Sequence, residues 1–118
     1  MTTTKKAKEN IVSYLNNSGP TPPTHIAIGT SNIQSSSEDL SLGNEITRVA
    51  IETKDFLSPN EIAYTATIDT STANGQTIRE IGLFNAASNG TMFSRGVFSD
   101  LVKDSSFSIE ITVVLRIL

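Results

Sequence analysis

Residues 62–98 read IAYTATIDTSTANGQTIREIGLFNAASNGTMFSRGVF and carry the clearest pattern in the chain. Apolar and polar residues alternate in three runs, which are 62–70, 77–84 and 91–98. A period of two is typical of strands that are half buried in a sheet. Asn74-Gly75 and Asn89-Gly90 separate the runs, and Asn-Gly suits the positive φ values of a hairpin turn. Because both loops are longer than the tightest hairpin turns, bulged or longer turns stay open, and the segment predicts a three-stranded antiparallel meander.

The segments on either side predict further strands. His25–Gly29 (HIAIG) is a short apolar run, and Glu45–Thr53 alternates with Val49 and Ile51 on the inward face. The C-terminal segment Ser106–Leu118 places large apolar side chains on one face: Phe107, Ile109, Ile111, Val113, Leu115 and Ile117. Since the burial of each contributes roughly 1.5–3 kcal/mol, we expect this segment to be the central strand.

Polar segments separate the predicted strands. Residues 31–44 (SNIQSSSEDLSLGN) form a loop that is long for a compact domain, and we expect Leu40 and Leu42 to pin it to the core. Ser58–Glu61 (SPNE) has the composition of a turn. The fold class predicted is an all-β sandwich, mostly antiparallel with about six or seven strands and one short N-terminal α-helix. A partly closed barrel stays open as an alternative.

The N-terminal segment predicts the helix. Thr3 or Thr4 can cap it, and an apolar stripe follows at helical spacing, formed by Ala7, Ile11, Tyr14 and Leu15. Residues 17–20 (NSGP) supply a stop signal, which divides the chain into a helix over 1–19 and a sandwich over 20–118. A helix this short is marginal in water, so its stripe must dock on the domain or on a partner. Ile11, Tyr14 and Leu15 are therefore candidate partner contacts.

The composition argues against several classes of function. The chain has no cysteine and one histidine, His25, which leaves few ligands for a zinc site or a catalytic centre. Glu38 and Asp39 lack the spaced carboxylates of a calcium loop. The net charge is −3 and the nine basic residues are scattered, so nothing indicates a nucleic-acid interface. We expect a protein that is not an enzyme, with no catalytic residue, metal, cofactor or small-molecule substrate.

The sequence also gives no sign of a membrane partner. No apolar run approaches the length of a membrane-spanning helix, and the N-terminus lacks the unbroken apolar stretch of a signal peptide. We therefore expect synthesis in the cytoplasm.

Charged residues within the predicted strands indicate an ion pair. Arg79 and Glu80 are adjacent, so they point to opposite faces, and one of them must enter partly apolar surroundings. A charge there is tolerated only when it is paired, and the arginine fork suits a carboxylate. We interpret Glu80 as held by Arg48 or Arg95 in a structural ion pair. A role of Glu80 at a subunit interface is the alternative.

Several motifs occur together in one order: His25–Gly29 (HIAIG), Leu40 followed by Asn44–Arg48 (NEITR), Ile78–Phe84 (IREIGLF), Gly90–Arg95 (GTMFSR) and the final alternating strand. Over residues 24–118 this order resembles the N-terminal domain of phage tail-fibre (tail-collar) proteins. The resemblance implies a domain that attaches a fibre to a baseplate or tail tip. It also implies a place in the virion tail, other tail proteins as partners, and a homo-oligomer, with a trimer favoured.

Family members commonly continue into a long fibre with receptor-binding regions, whereas this sequence ends at the last strand of the domain. The expectation is therefore a stand-alone baseplate, tail-tip or adaptor protein. A carbohydrate- or receptor-binding β-sandwich at a tail tip is the alternative. Sugar platforms usually stack aromatic side chains, yet this chain has no Trp, and four of its five phenylalanines are expected in the core: Phe84, Phe93, Phe98 and Phe107.

Overall fold

The computed structural model describes residues 1–16 and 21–118, and within them eight strands form two antiparallel sheets beside one helix. In chain order the elements are β1 (Thr2–Thr3), α1 (Lys5–Leu15), β2 (His25–Gly29), β3 (Glu45–Ala50), β4 (Thr53–Ser58), β5 (Glu61–Ile68), β6 (Thr77–Phe84), β7 (Met92–Val102) and β8 (Ile109–Arg116). The five-stranded sheet has the order β1-β7-β6-β2-β3, and the three-stranded sheet has the order β4-β5-β8. The predicted all-β, mostly antiparallel fold with one short helix is confirmed.

The two sheets pack face to face across an apolar core. Its largest cluster combines Ile26 and Leu83 of the five-stranded sheet with Tyr64, Ala66 and Val113 of the three-stranded sheet. Each of these side chains is at most 3% exposed. The alternation of residues 62–70 predicts one face shared by Ile62, Tyr64, Ala66 and Ile68, and Tyr64 and Ala66 of that face lie in this cluster.

The predicted hairpin at Asn74-Gly75 is wrong, because β5 and β6 belong to different sheets. Residues 69–76 carry the chain across the sandwich from one sheet to the other. Ile68 and Ile78 flank this connection and share a buried cluster, so the two strands meet through side chains rather than backbone hydrogen bonds. Alternation shows which face is buried, and it carries no information about which strand lies alongside.

The second predicted hairpin is confirmed at Asn89-Gly90. Strands β6 and β7 pair antiparallel on either side of this turn. Asn89 has φ 54° and Gly90 has φ 72°, which are the positive values that an Asn-Gly turn favours. The turn therefore joins neighbouring strands of the five-stranded sheet.

The C-terminal strand is not central, contrary to the prediction. Strand β8 lies at one edge of the three-stranded sheet, and β5 is the central strand. Val113 and Leu115 are buried as expected, but they face the opposite sheet and leave one backbone edge of β8 without a neighbouring strand within the described residues. Phe107 and Ile117 lie outside β8 and are 36% and 43% exposed.

The segment predicted as one strand over Glu45–Thr53 also divides between the sheets. Strand β3 ends at Ala50, and β4 begins at Thr53 in the other sheet. Val49 and Ile51 pack against the core, as predicted. In the preceding loop, Leu42 is buried but Leu40 is 65% exposed, so only one of the two leucines pins the loop.

Helix α1 begins after Thr4, whose hydroxyl accepts a hydrogen bond from the backbone N–H of Ala7 at 3.0 Å. This confirms the predicted cap. Ala7 is fully buried against the main core cluster, while the rest of the apolar stripe is half-buried or exposed. The predicted stop at 17–20, and with it the proposed boundary between helix and sandwich, lies outside the described residues.

The Thr4→Ala substitution tests how firmly this helix is anchored. The Thr4 hydroxyl also donates to the Met92 carbonyl of β7, so its removal breaks both the cap and a buried link to the sheet. We expect a loss of about 1–2 kcal/mol in the free energy of unfolding, measured by chemical denaturation. Thr3→Ala is the matched control, because the half-buried Thr3 side chain makes no hydrogen bond among the described residues. Equal losses in both variants would contradict the anchoring role.

Candidate functional site

A buried carboxylate lies where the long loop of residues 31–44 meets the five-stranded sheet. Glu80 of β6 is fully buried, and its carboxylate accepts hydrogen bonds from backbone N–H groups of this loop. The donors are Ser31 at 3.0 Å, Gly43 at 2.8 Å and Asn44 at 2.8 Å. Gly29 lies opposite Glu80 in β2, and a Cβ atom there would collide with the carboxylate. Glycine at this position therefore gives the carboxylate its space.

Arg95 of β7 completes this cluster, which we call the Glu80–Arg95 network. Its Nε donates to Glu80 Oε1 at 3.0 Å, and its side chain is 3% exposed. The remaining guanidinium nitrogens bind the loop, through Asp39 Oδ2 at 3.2 Å and the Ile33 carbonyl at 2.9 Å. The network joins strands β6 and β7 to both ends of the loop, so it acts as a structural ion pair.

The contacts of Glu80 determine its ionisation. Burial by itself raises the pKa of this carboxyl group, because it penalises the charged form. The backbone N–H groups of Asn44, Gly43 and Ser31, together with Arg95, outweigh burial and lower the pKa below its usual value. Glu80 is therefore ionised in the folded protein at neutral pH.

Arg48 does not belong to the network, which corrects the alternative partner for Glu80. It lies opposite Ala27 in β2, whereas Glu80 lies opposite Gly29. From that register its guanidinium pairs with Glu45 at 2.8 Å instead. The guanidinium also stacks 3.6 Å from the centre of the Phe84 ring and donates to the carbonyl oxygens of the β6–β7 turn. Strand register thus decides which arginine reaches Glu80.

A second feature is an apolar groove of about 290 Å³, which we call the helix–hairpin groove. It lies between α1, residues 21–23, the β4–β5 hairpin and the C-terminal end of β8. Its apolar lining includes Ile11, Tyr14, Phe56, Ile62, Leu115 and Ile117. Phe56 is 87% exposed and Tyr14 is 62% exposed, so two aromatic rings stand at its mouth.

Two of the three candidate partner contacts of the helix line the groove, and the third does not. Ile11 is half-buried and lines the groove together with Tyr14. Leu15 is 78% exposed but does not line it. Phe56 was missed in the sequence because β4 has no apolar alternation: five of its six residues are exposed. Two adjacent apolar residues, Phe56 and Leu57, precede the Ser58–Glu61 turn, and this pair was the feature of the sequence that could have indicated an apolar contact site.

The one histidine of the chain, His25, is paired with its neighbour in the sequence. The ring Nδ1 of His25 lies 2.8 Å from the Thr24 hydroxyl, at the start of β2. In residues 1–16 and 21–118, no group of three His, Cys, Asp or Glu side chains could hold a metal ion. No helix in the same ranges is long and apolar enough to cross a bilayer. We take the helix–hairpin groove as the candidate functional site and the Glu80–Arg95 network as part of the scaffold.

No protein-family model matches this chain, and no curated protein matches it significantly.

The Glu80→Ala substitution tests the network. It leaves Arg95 as a buried cation without its main partner, so we expect a loss of about 3–5 kcal/mol in the free energy of unfolding. Asp100→Asn is the control, because its pair with Arg79 is exposed and should cost no more than about 1 kcal/mol. Comparable losses in the two variants would contradict a structural role for the buried pair.

The network also predicts an acid dependence of stability. The pKa of Glu80 is lowered in the folded protein, so the unfolded chain takes up a proton at this position first as the pH falls. The contribution of Glu80 to the free energy of unfolding is fully present above the pKa of about 4.3 that a glutamate has in the unfolded chain. It is lost as the pH falls through the lower pKa of Glu80 in the folded protein. Glu80→Gln, measured by urea denaturation, should lose stability less steeply than the wild type below about pH 4.3. Parallel curves would show that other groups carry the acid dependence.

Proposed function

We propose that this protein is a non-enzymatic structural module of a phage-like tail. In this role it joins other proteins of a baseplate, tail tip or fibre-attachment site, and it resides in the virion tail. The helix–hairpin groove is the observation that carries the proposal, because it exposes aromatic rings beside a preformed apolar depression. Buried aromatic anchors contribute much of the binding energy of protein interfaces.

The resemblance to tail-collar attachment domains supports the same role. Glu80 comes from the IREIGLF motif and Arg95 from the GTMFSR motif, and the two side chains form the buried ion pair. Each motif therefore contributes one charged side chain to the scaffold. A scaffold with a fixed loop suits a protein that holds its neighbours in register.

The groove can accept an apolar side chain or a short apolar segment of a partner. Burial of a ring such as Phe56 contributes roughly 1.5–3 kcal/mol, which corresponds to about tenfold to a hundredfold in affinity. Homotrimer formation belongs to the proposal by analogy with the family alone. Light scattering at micromolar concentration tests it, and a clean monomer counts against self-assembly without partners.

Carbohydrate binding is the second candidate, favoured by the two exposed rings, Tyr14 and Phe56. Asn10 and Asn60 also line the groove and could bind hydroxyl groups. A glycan array distinguishes the candidates, because specific glycan binding that is lost in Tyr14→Ala would replace the structural proposal.

The decisive experiment measures incorporation into tail particles made by cells that produce this protein. We expect wild-type protein in purified tails and at least about tenfold less of Phe56→Asp. Ile33→Asp is the matched control, because Ile33 is 71% exposed and lies outside the groove. Absence of the wild-type protein from the particles refutes the tail role, whereas equal incorporation of both variants refutes the role of the groove.

A further inference from the structure

The two Asn-Gly dipeptides lie in opposite chemical surroundings. Asn89 is exposed at the tip of the β6–β7 hairpin, and its carboxamide makes no hydrogen bond among the described residues. The N–H of Gly90 has no acceptor there either. Glycine has no Cβ to shield its nitrogen, so the Gly90 nitrogen is accessible to the neighbouring side-chain carbonyl carbon.

Arg48 is bound to this same peptide group. Its Nη1 donates to the Asn89 carbonyl oxygen at 2.8 Å and to the Ala86 carbonyl at 2.9 Å. The guanidinium is held in place by Glu45 and by its stacking on Phe84. When the Gly90 nitrogen loses its proton, the negative charge is shared with the Asn89 oxygen. A fixed cation at that oxygen stabilises the deprotonated peptide, which is the nucleophile for attack on the asparagine side chain.

We propose that Asn89-Gly90 is a self-modification site at which Arg48 promotes deamidation of Asn89. Hydroxide removes the proton from the Gly90 nitrogen, and this nitrogen forms a bond to Asn89 Cγ. The bond from Cγ to the carboxamide nitrogen breaks, and ammonia leaves with a proton taken from water. Water then opens the resulting succinimide at either carbonyl, giving aspartate or isoaspartate. The net reaction consumes one water and releases one ammonia.

Asn74-Gly75 is an internal control, because hydrogen bonds within the fold hold the Gly75 N–H and the Asn74 carboxamide, the two groups that would react. The Gly75 N–H donates to the Lys103 carbonyl at 2.8 Å, which holds the proton on the nitrogen. The Asn74 carboxamide accepts from Lys103 Nζ at 2.9 Å and donates to the Thr70 carbonyl at 2.9 Å. Ring closure at Asn74 requires these contacts to break. The same dipeptide is thus protected at one end of the sandwich and activated at the other.

The modification changes a loop that supports the helix–hairpin groove. Thr91 at the end of the loop accepts a hydrogen bond from Asn10 at 2.9 Å, and Asn85 at its start donates to the Thr21 carbonyl at 3.2 Å. Asn10 and Thr21 both line the groove. Isoaspartate adds a methylene group to the main chain and a negative charge beside Arg48. The modification therefore alters the support of the groove rim.

The experiment incubates the folded protein at mildly alkaline pH and follows both sites by peptide mass spectrometry. We expect Asn89 to deamidate at least about tenfold faster than Asn74, since one or two net hydrogen bonds correspond to about that factor. The same chain unfolded in denaturant should lose this difference and deamidate at both sites. Asn89→Gln should remove the major product, because attack would then have to form a larger ring.

Arg48→Met tests the activating contact. Loss of a charge-assisted hydrogen bond should slow deamidation of Asn89 about tenfold in the folded protein. Unfolding of the Arg48→Met variant would give a different result, because Asn74 would lose its hydrogen bonds and its deamidation would become faster. Equal rates at the two sites in the folded wild type, an absence of product at Asn89, or an unchanged Asn89 rate in Arg48→Met overturns the proposal.

Discussion

The fully buried carboxylate of Glu80 is the constraint on which the loop end of the five-stranded sheet depends. A buried charge is tolerated only when its hydrogen bonds are made, so the chain must bring donors to it. Backbone N–H groups of residues 31–44 and the side chain of Arg95 fill that requirement. The two ends of a loop that lacks helix and strand are therefore held by one buried carboxylate and its arginine partner. Gly29 follows from the same constraint, because any Cβ there would occupy the position of the carboxylate.

The network and the groove divide the molecule into two parts with different chemistry. The Glu80–Arg95 network is closed and has satisfied partners, so it favours a fixed arrangement over binding to other molecules. The groove is open, apolar and flanked by exposed rings, which are the properties of a surface that is completed by a partner. Glu80 of the IREIGLF motif and Arg95 of the GTMFSR motif lie in the closed part.

The fold class could be predicted from the sequence because alternation reports which side chains are buried. The buried ion pair could also be predicted, since Arg79 or Glu80 had to enter partly apolar surroundings and a charge there needs a partner. The sequence could not show that Arg95 rather than Arg48 pairs with Glu80, because the distance between two side chains depends on strand order and register. The prediction of a hairpin at Asn74-Gly75 was wrong for the same reason, since the strands on either side of it belong to different sheets. Phe56 was missed because a strand exposed on both faces has no alternating pattern.

Strand β4 forms a free edge of the three-stranded sheet within the described residues, and its charges have a consequence for aggregation. Lys54 and Asp55 are adjacent, so each face of this edge carries one charge. When the β4 strands of two molecules pair antiparallel about a two-fold axis, one residue lies opposite the same residue of the second molecule. Registers centred on Lys54 or Asp55 then bring like charges together, which disfavours fibril-like growth along this edge. The protein can expose an apolar groove beside an open sheet edge and still discourage its copies from polymerising through that edge.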